Sequence, residues 1–94
     1  MRAAAQGQTV LLPCPLLDGL PKVWRYRRHD DDRRENRPIT YNGRIAAEFS
    51  ERFQLDKFGL LIREVQQNDQ GIYTCVVLRQ GHQARQIQLF VPCK

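Results

Sequence analysis

The sequence predicts an all-β sandwich or barrel, and three observations carry that prediction. Apolar residues recur with a period of two in short runs, as in Val10, Leu12 and Cys14 or in Tyr73, Cys75 and Val77. Turn chemistry bounds these runs, at Asp18-Gly19, Asn42-Gly43 and Gln80-Gly81-His82. A helical period is nowhere sustained across the 94 residues. A chain of this length accommodates one hydrophobic core.

The elements follow in order. Gly7-Gln8 leads into a first run over residues 9–15, where Val10, Leu12 and Cys14 share one face. Pro13 and Pro15 lie on the other face and keep the strand short or exposed at its end. After the Asp18-Gly19 turn, residues 22–28 form a second strand with Trp24 and Tyr26 on one side, and residues 29–37 are a charged loop. Residues 38–41 form a further short strand. It is closed by Asn42-Gly43, the strongest hairpin signal in the chain because a tight hairpin turn needs positive φ at both positions. Strands over 52–55 and 60–65 are joined by Lys57-Phe58-Gly59, and 66–71 is a polar connection. Residues 72–78 alternate with Tyr73, Cys75 and Val77 on one side. Gln80, Gly81 and His82 form the tip of a last hairpin, whose return strand over 84–91 places Ile87, Leu89 and Val91 together. With no repeat, low-complexity tract or linker, a single domain is expected over 7–92, and 93–94 is expected to open a stalk or linker.

Composition narrows the function classes. Hydrophobic residues make up 41% and charged residues 27%, a globular rather than a disordered balance. No apolar run nears the roughly 20 residues of a membrane span, so this domain is expected to make no direct membrane contact. The opening Met-Arg-Ala-Ala-Ala-Gln lacks the apolar stretch of a secretory leader, so Met1 is expected to begin a mature fragment or an expressed piece. Fifteen basic against ten acidic side chains give +5, and only Lys22, Lys57 and Lys94 among the basic residues are not Arg. Arg presents a planar, weakly hydrated fork suited to interfaces and carboxylates.

Cys14, Cys75 and Cys93 cannot all pair within the chain. No Cys-x-x-Cys occurs and neither His29 nor His82 adjoins a cysteine, so zinc spacing is absent, and no metal or other cofactor is expected. A distant pair such as Cys14 and Cys75 points to a core disulfide and an oxidising compartment.

Cys14, then Trp24, then Asp69-x-Gly71-x-Tyr73-x-Cys75 resembles the signature of an immunoglobulin domain. The resemblance implies two cysteines bridging facing sheets, Trp24 packed against the bridge, and Tyr73 sending its hydroxyl back to an upstream backbone group. Gly71 would free the backbone at the turn into that strand. Over residues 7 to 92 the chain is similar to the V-set branch: Arg52 before Phe53, with Asp69, matches the ion pair that closes the base of the sandwich. The stretch from Trp24 to Arg52 is long enough for the extra C′ and C″ strands. The implied fold is an all-β, immunoglobulin-like two-sheet Greek-key sandwich of the V-set type.

The last strand, Arg85-Gln86-Ile87-Gln88-Leu89-Phe90, lacks the Phe/Trp-Gly-x-Gly bulge of rearranged antigen receptors, and the interval from Cys14 to Trp24 is short. The resemblance therefore implies an innate-type or co-receptor domain. Its setting would be extracellular, as the ectodomain of a type I membrane protein or as a secreted protein.

An enzymatic role is disfavoured: neither histidine has a nucleophile beside it, Ser50 is the only serine, and such a fold offers shallow loops rather than a pocket. His29-Asp30-Asp31-Asp32 reads as a solvated loop neutralising Arg27, Arg28, Arg33 and Arg34, since it lacks the spaced ligands of a calcium loop. Specific nucleic-acid binding is disfavoured because Trp24 and Tyr26 are committed to the core and leave no exposed stacking platform.

Alternation points to a binding face instead. With Tyr73, Cys75 and Val77 inward, Val76 and Leu78 face out; Arg25 and Arg27 face out beside Trp24, and Gln88 and Phe90 beside Leu89. By resemblance these strands belong to the GFCC′ sheet. The expected function is recognition of a protein ligand by an immune-type receptor or co-receptor, with Val76, Leu78 and Phe90 as apolar anchors and Arg25 and Arg27 reading carboxylates. The alternatives are a homophilic adhesion or co-receptor homodimer through the same sheet, and a soluble polyanion binder using the Arg-rich loop. Cys93 is read as an interchain disulfide in a stalk, the partner of a cysteine elsewhere, or a free thiol.

Overall fold

Period-two alternation builds the molecule. A computed structural model describes residues 2–14, 22–28, 37–41, 44–56, 58–77 and 83–92. Its strands are β1 (Arg2–Ala3), β2 (Val10–Pro13), β3 (Lys22–Arg27), β4 (Arg37–Pro38), β5 (Thr40–Tyr41), β6 (Arg44–Ile45), β7 (Phe53–Asp56), β8 (Gly59–Ile62), β9 (Gly71–Val77) and β10 (Gln83–Phe90). Single 3-10 turns stand at Ala47–Phe49 and Gln67–Asp69.

A five-stranded sheet runs β1-β10-β9-β3-β4 and faces a three-stranded sheet, β2-β8-β7, with β5-β6 as a separate hairpin. The result is an all-β sandwich. Inward positions fill its centre: Leu12 from β2, Trp24 from β3, Leu60 and Ile62 from β8, Tyr73 from β9 and Leu89 from β10 are all essentially inaccessible. Burying each large apolar side chain contributes about 1.5–3 kcal/mol. Cys14, just past β2, is bonded to Cys75 of β9 across a Cα–Cα distance of 6.3 Å, so one covalent bridge joins the two sheets. Trp24 is the direct cross-strand partner of Cys75, which places the indole beside that bridge.

Two elements differ from the sequence reading. Strand β1 was not anticipated. It pairs in parallel with Leu89 and Phe90, and Ala4, just after it, is buried and donates its N–H to the Phe90 carbonyl at 3.0 Å. Two residues carry no periodicity, so only the pairing reveals them. The run over 38–41 also divides. Arg37–Pro38 pairs with β3, whereas Thr40–Tyr41 pairs with Arg44–Ile45 to form the second hairpin. Ile39 between them is fully buried and keeps one bond to β3, donating its N–H to the Trp24 carbonyl at 2.9 Å.

Candidate functional site

The base of the sandwich holds the polar signature. Asp69 is 5% exposed and receives both guanidinium nitrogens of Arg52, Nη1 to Oδ2 at 2.6 Å and Nη2 to Oδ1 at 2.8 Å. Its Oδ2 also accepts the Gln66 N–H at 2.8 Å, which caps the turn at Gln67–Asp69. The Tyr73 hydroxyl donates to the Asp69 carbonyl at 2.6 Å, and the Tyr26 hydroxyl donates to the Gln70 carbonyl at 2.6 Å. The hydrogen bond to Asp69 holds the Arg52 guanidinium above its ordinary pKa, against the opposing effect of partial burial. Burial foremost, then the Asp69 charge, holds the Tyr73 phenol far above the ordinary tyrosine range.

The sequence reading expected no pocket, yet an open cleft of about 360 Å³ lies at this base, lined by Tyr26, Arg37, Glu48, Phe49, Arg52 and Phe53 among others. Two of its lining rings, Phe49 and Phe53, pack against each other with centroids 5.2 Å apart. Four of its charged groups form two pairs, Arg52 with Asp69 and Arg37 with Glu48. The arrangement closes the sandwich, and among the described residues that line the cleft no nucleophile stands beside a base.

The outer face of the five-stranded sheet is different in kind. Register resolves it into rows across the strands. One row runs Ala84, Val76, Val23; the next runs Gln86, Thr74, Arg25, Pro38; the third runs Gln88, Ile72, Arg27. Arg25, Ala84 and Gln86 are exposed, while Val23, Arg27, Ile72, Val76 and Gln88 are half-buried. An apolar row thus lies beside a row whose exposed members are Arg25 and Gln86.

The expected residues fall as follows. Arg25, Arg27, Val76 and Gln88 share this outer face. Phe90 is exposed at 44% on the same strand as Ala84, but six residues further on, about 20 Å away along a strand. It adjoins Ala3 of β1 rather than Val76. Leu78, the tip Gln80, Gly81 and His82, the acidic loop Asp30 to Asp32, and Cys93 lie outside the described residues. Sequence reasoning missed Val23 and Ile72. Alternation from Trp24 and Tyr73 would have found both, since each is one residue from an inward aromatic.

Comparison with known proteins agrees with this architecture. The family model for the immunoglobulin V-set domain matches residues 2–91. Among curated proteins none matches. The chain is similar to a solved structure described as "Crystal structure of Dpr11 IG1 bound to DIP-gamma IG+IG2", at 26% identity and a TM-score of 0.70, covering 97% of this chain and 96% of that one.

Proposed function

The chain belongs to the immunoglobulin V-set family, and on that premise we propose that it is a cell-surface recognition domain that docks another immunoglobulin-type domain through the outer face of its five-stranded sheet. It is a protein-recognition domain and not an enzyme. The observation that carries the reading is the face itself: an apolar row of Ala84, Val76 and Val23 beside the exposed Arg25, with Ile72 and Arg27 one row beyond. Half-exposed apolar groups rimmed by Arg are the composition of protein interfaces. The similar Dpr11 domain was solved bound to DIP-gamma IG+IG2, which supports recognition between immunoglobulin domains and an adhesion-type role over an immune-receptor one. The disulfide between Cys14 and Cys75 suits an extracellular setting.

The test is a multimerised form of the domain, screened against a panel of cell-surface immunoglobulin ectodomains that includes this one. Val76→Arg is the matched control. Placing a long charged side chain in the apolar row is expected to weaken a partner of this face by about thirtyfold or more, the scale of a central contact. A partner bound equally well by Val76→Arg and by Arg25→Glu would rule the face out.

A further inference from the structure

The strands of the recognition sheet carry charge of one sign. The five strands of the recognition sheet contain Arg2, Lys22, Arg25, Arg27, Arg37 and Arg85, and they contain no Asp or Glu. No carboxylate among the described residues belongs to these strands. Among the described residues, Asp56 ends β7 on the opposite sheet, and Glu48, Glu51, Glu64 and Asp69 lie on turns. Within the outer face, Arg25 stands in the central row between Thr74 and Pro38, so its in-sheet neighbours offer it no carboxylate.

A homodimer built on this face would be two-fold, with the same surface on both sides. It would bring the Arg25 rows of two copies together, and the described residues of the face offer Arg25 only amide, hydroxyl and backbone acceptors. Like charges brought together at an interface suppress that pairing. Resting on the sheet-face reading above, we infer that the face is built for a different immunoglobulin-type domain, one that presents carboxylates to Arg25, and not for a second copy of this chain. Geometry adds a pattern. The apolar row and the Arg25 row are two residues apart along β3, about 7 Å. A complementary strand therefore carries an acid and an apolar residue at alternate positions of one face.

The probe is a copy of this domain with its face made acidic, Arg25→Glu with Gln86→Glu, both at exposed positions of the same row. The single variant Gln86→Glu serves as a second probe should the double variant melt early. Sedimentation equilibrium up to submillimolar concentration is expected to find the native domain monomeric. Mixed with the acidic copy, it is expected to associate at least about tenfold more tightly than with itself, and high salt is expected to remove the gain.

Native self-association as tight as the mixture overturns the inference. If Val76→Arg then abolishes it, the sheet-face reading stands and the heterotypic one alone falls; if it persists in Val76→Arg, both fall. Self-association lost on changing Asp30, Asp31 and Asp32 to Asn would also overturn it, by showing that a loop supplies the carboxylates. Retention on heparin without any gain in the mixture would overturn it in favour of a polyanion site.

Discussion

Gly71 is held to glycine by its neighbours more than by its turn. A Cβ there would lie 2.7 Å from the Arg27 carbonyl oxygen, 2.7 Å from Tyr26 Cε1 and 2.9 Å from the Tyr26 hydroxyl. The missing side chain is what lets the Tyr26 hydroxyl reach the Gln70 carbonyl, next in the chain to the Asp69 carbonyl that Tyr73 bonds. The two tyrosine rings lie 5.0 Å apart and anchor β3 and β9 to one turn. The sense of the Tyr73 shift sets a pH dependence. Its folded-state pKa is raised, so the unfolded chain loses the phenolic proton near pH 10 while the native state keeps it. The stabilisation is whole below that pH and declines above it, by at most about 1.4 kcal/mol per pH unit. Denaturant melts of the native domain and of Tyr73→Phe are expected to diverge accordingly. The variant is less stable by about 1 kcal/mol at neutral pH, having lost one hydrogen bond, but its alkaline slope is shallower. Parallel slopes for the two proteins would remove Tyr73 from the alkaline transition.

Arg85 occupies a position that the strand pattern assigns to the interior. It pairs with Cys75 and shares its parity with Ile87 and Leu89, both buried, yet Arg85 is exposed. Strand β1 covers β10 only at Leu89 and Phe90, so among the described residues no strand lies beside the rest of that edge. An inward-facing charge on such an edge discourages a second chain from adding to it. Arg85→Val is therefore expected to change stability by no more than about 0.5 kcal/mol, as at most exposed sites, while aggregating faster in a stirred turbidity assay at equal concentration. An unchanged aggregation rate would mean that the edge is guarded by something else. The same strand shows what a sequence can and cannot convey. Period two placed Cys75 and Leu89 inside and Val76 and Phe90 outside, because facing depends only on parity. Whether two outward residues on different strands meet depends on register, and β10 slides Phe90 past the end of β9. Cys14, Trp24, Asp69, Gly71, Tyr73 and Cys75 were legible because each has a residue-specific task, whereas β1 has only backbone pairing to hold it.

The whole molecule depends on one covalent link between its layers. A 94-residue sandwich has little surplus stability, roughly 5–14 kcal/mol at the usual amount per residue. The bridge from Cys14 to Cys75 spans a sequence separation of 61, and closing a loop of that size constrains the unfolded chain by about 4 kcal/mol. The cationic sheet makes that constraint matter more. Its strands contain six cations and no carboxylate, and among the described residues the acids lie on turns and on the other sheet, so holding the layers together brings opposite charge closer. Replacing both cysteines by Ala is expected to lower the urea midpoint by about 2–4 M, given a slope of roughly 1–2 kcal/mol per molar for a domain of this size. Added salt is expected to recover part of that loss in the variant, and less in the native domain, because screening relaxes the repulsion inside the sheet. Equal salt responses in the two proteins would show that the disulfide and the charge of the sheet act independently. A larger response in the variant would show that the bridge is what lets a sheet whose strands hold no carboxylate remain folded.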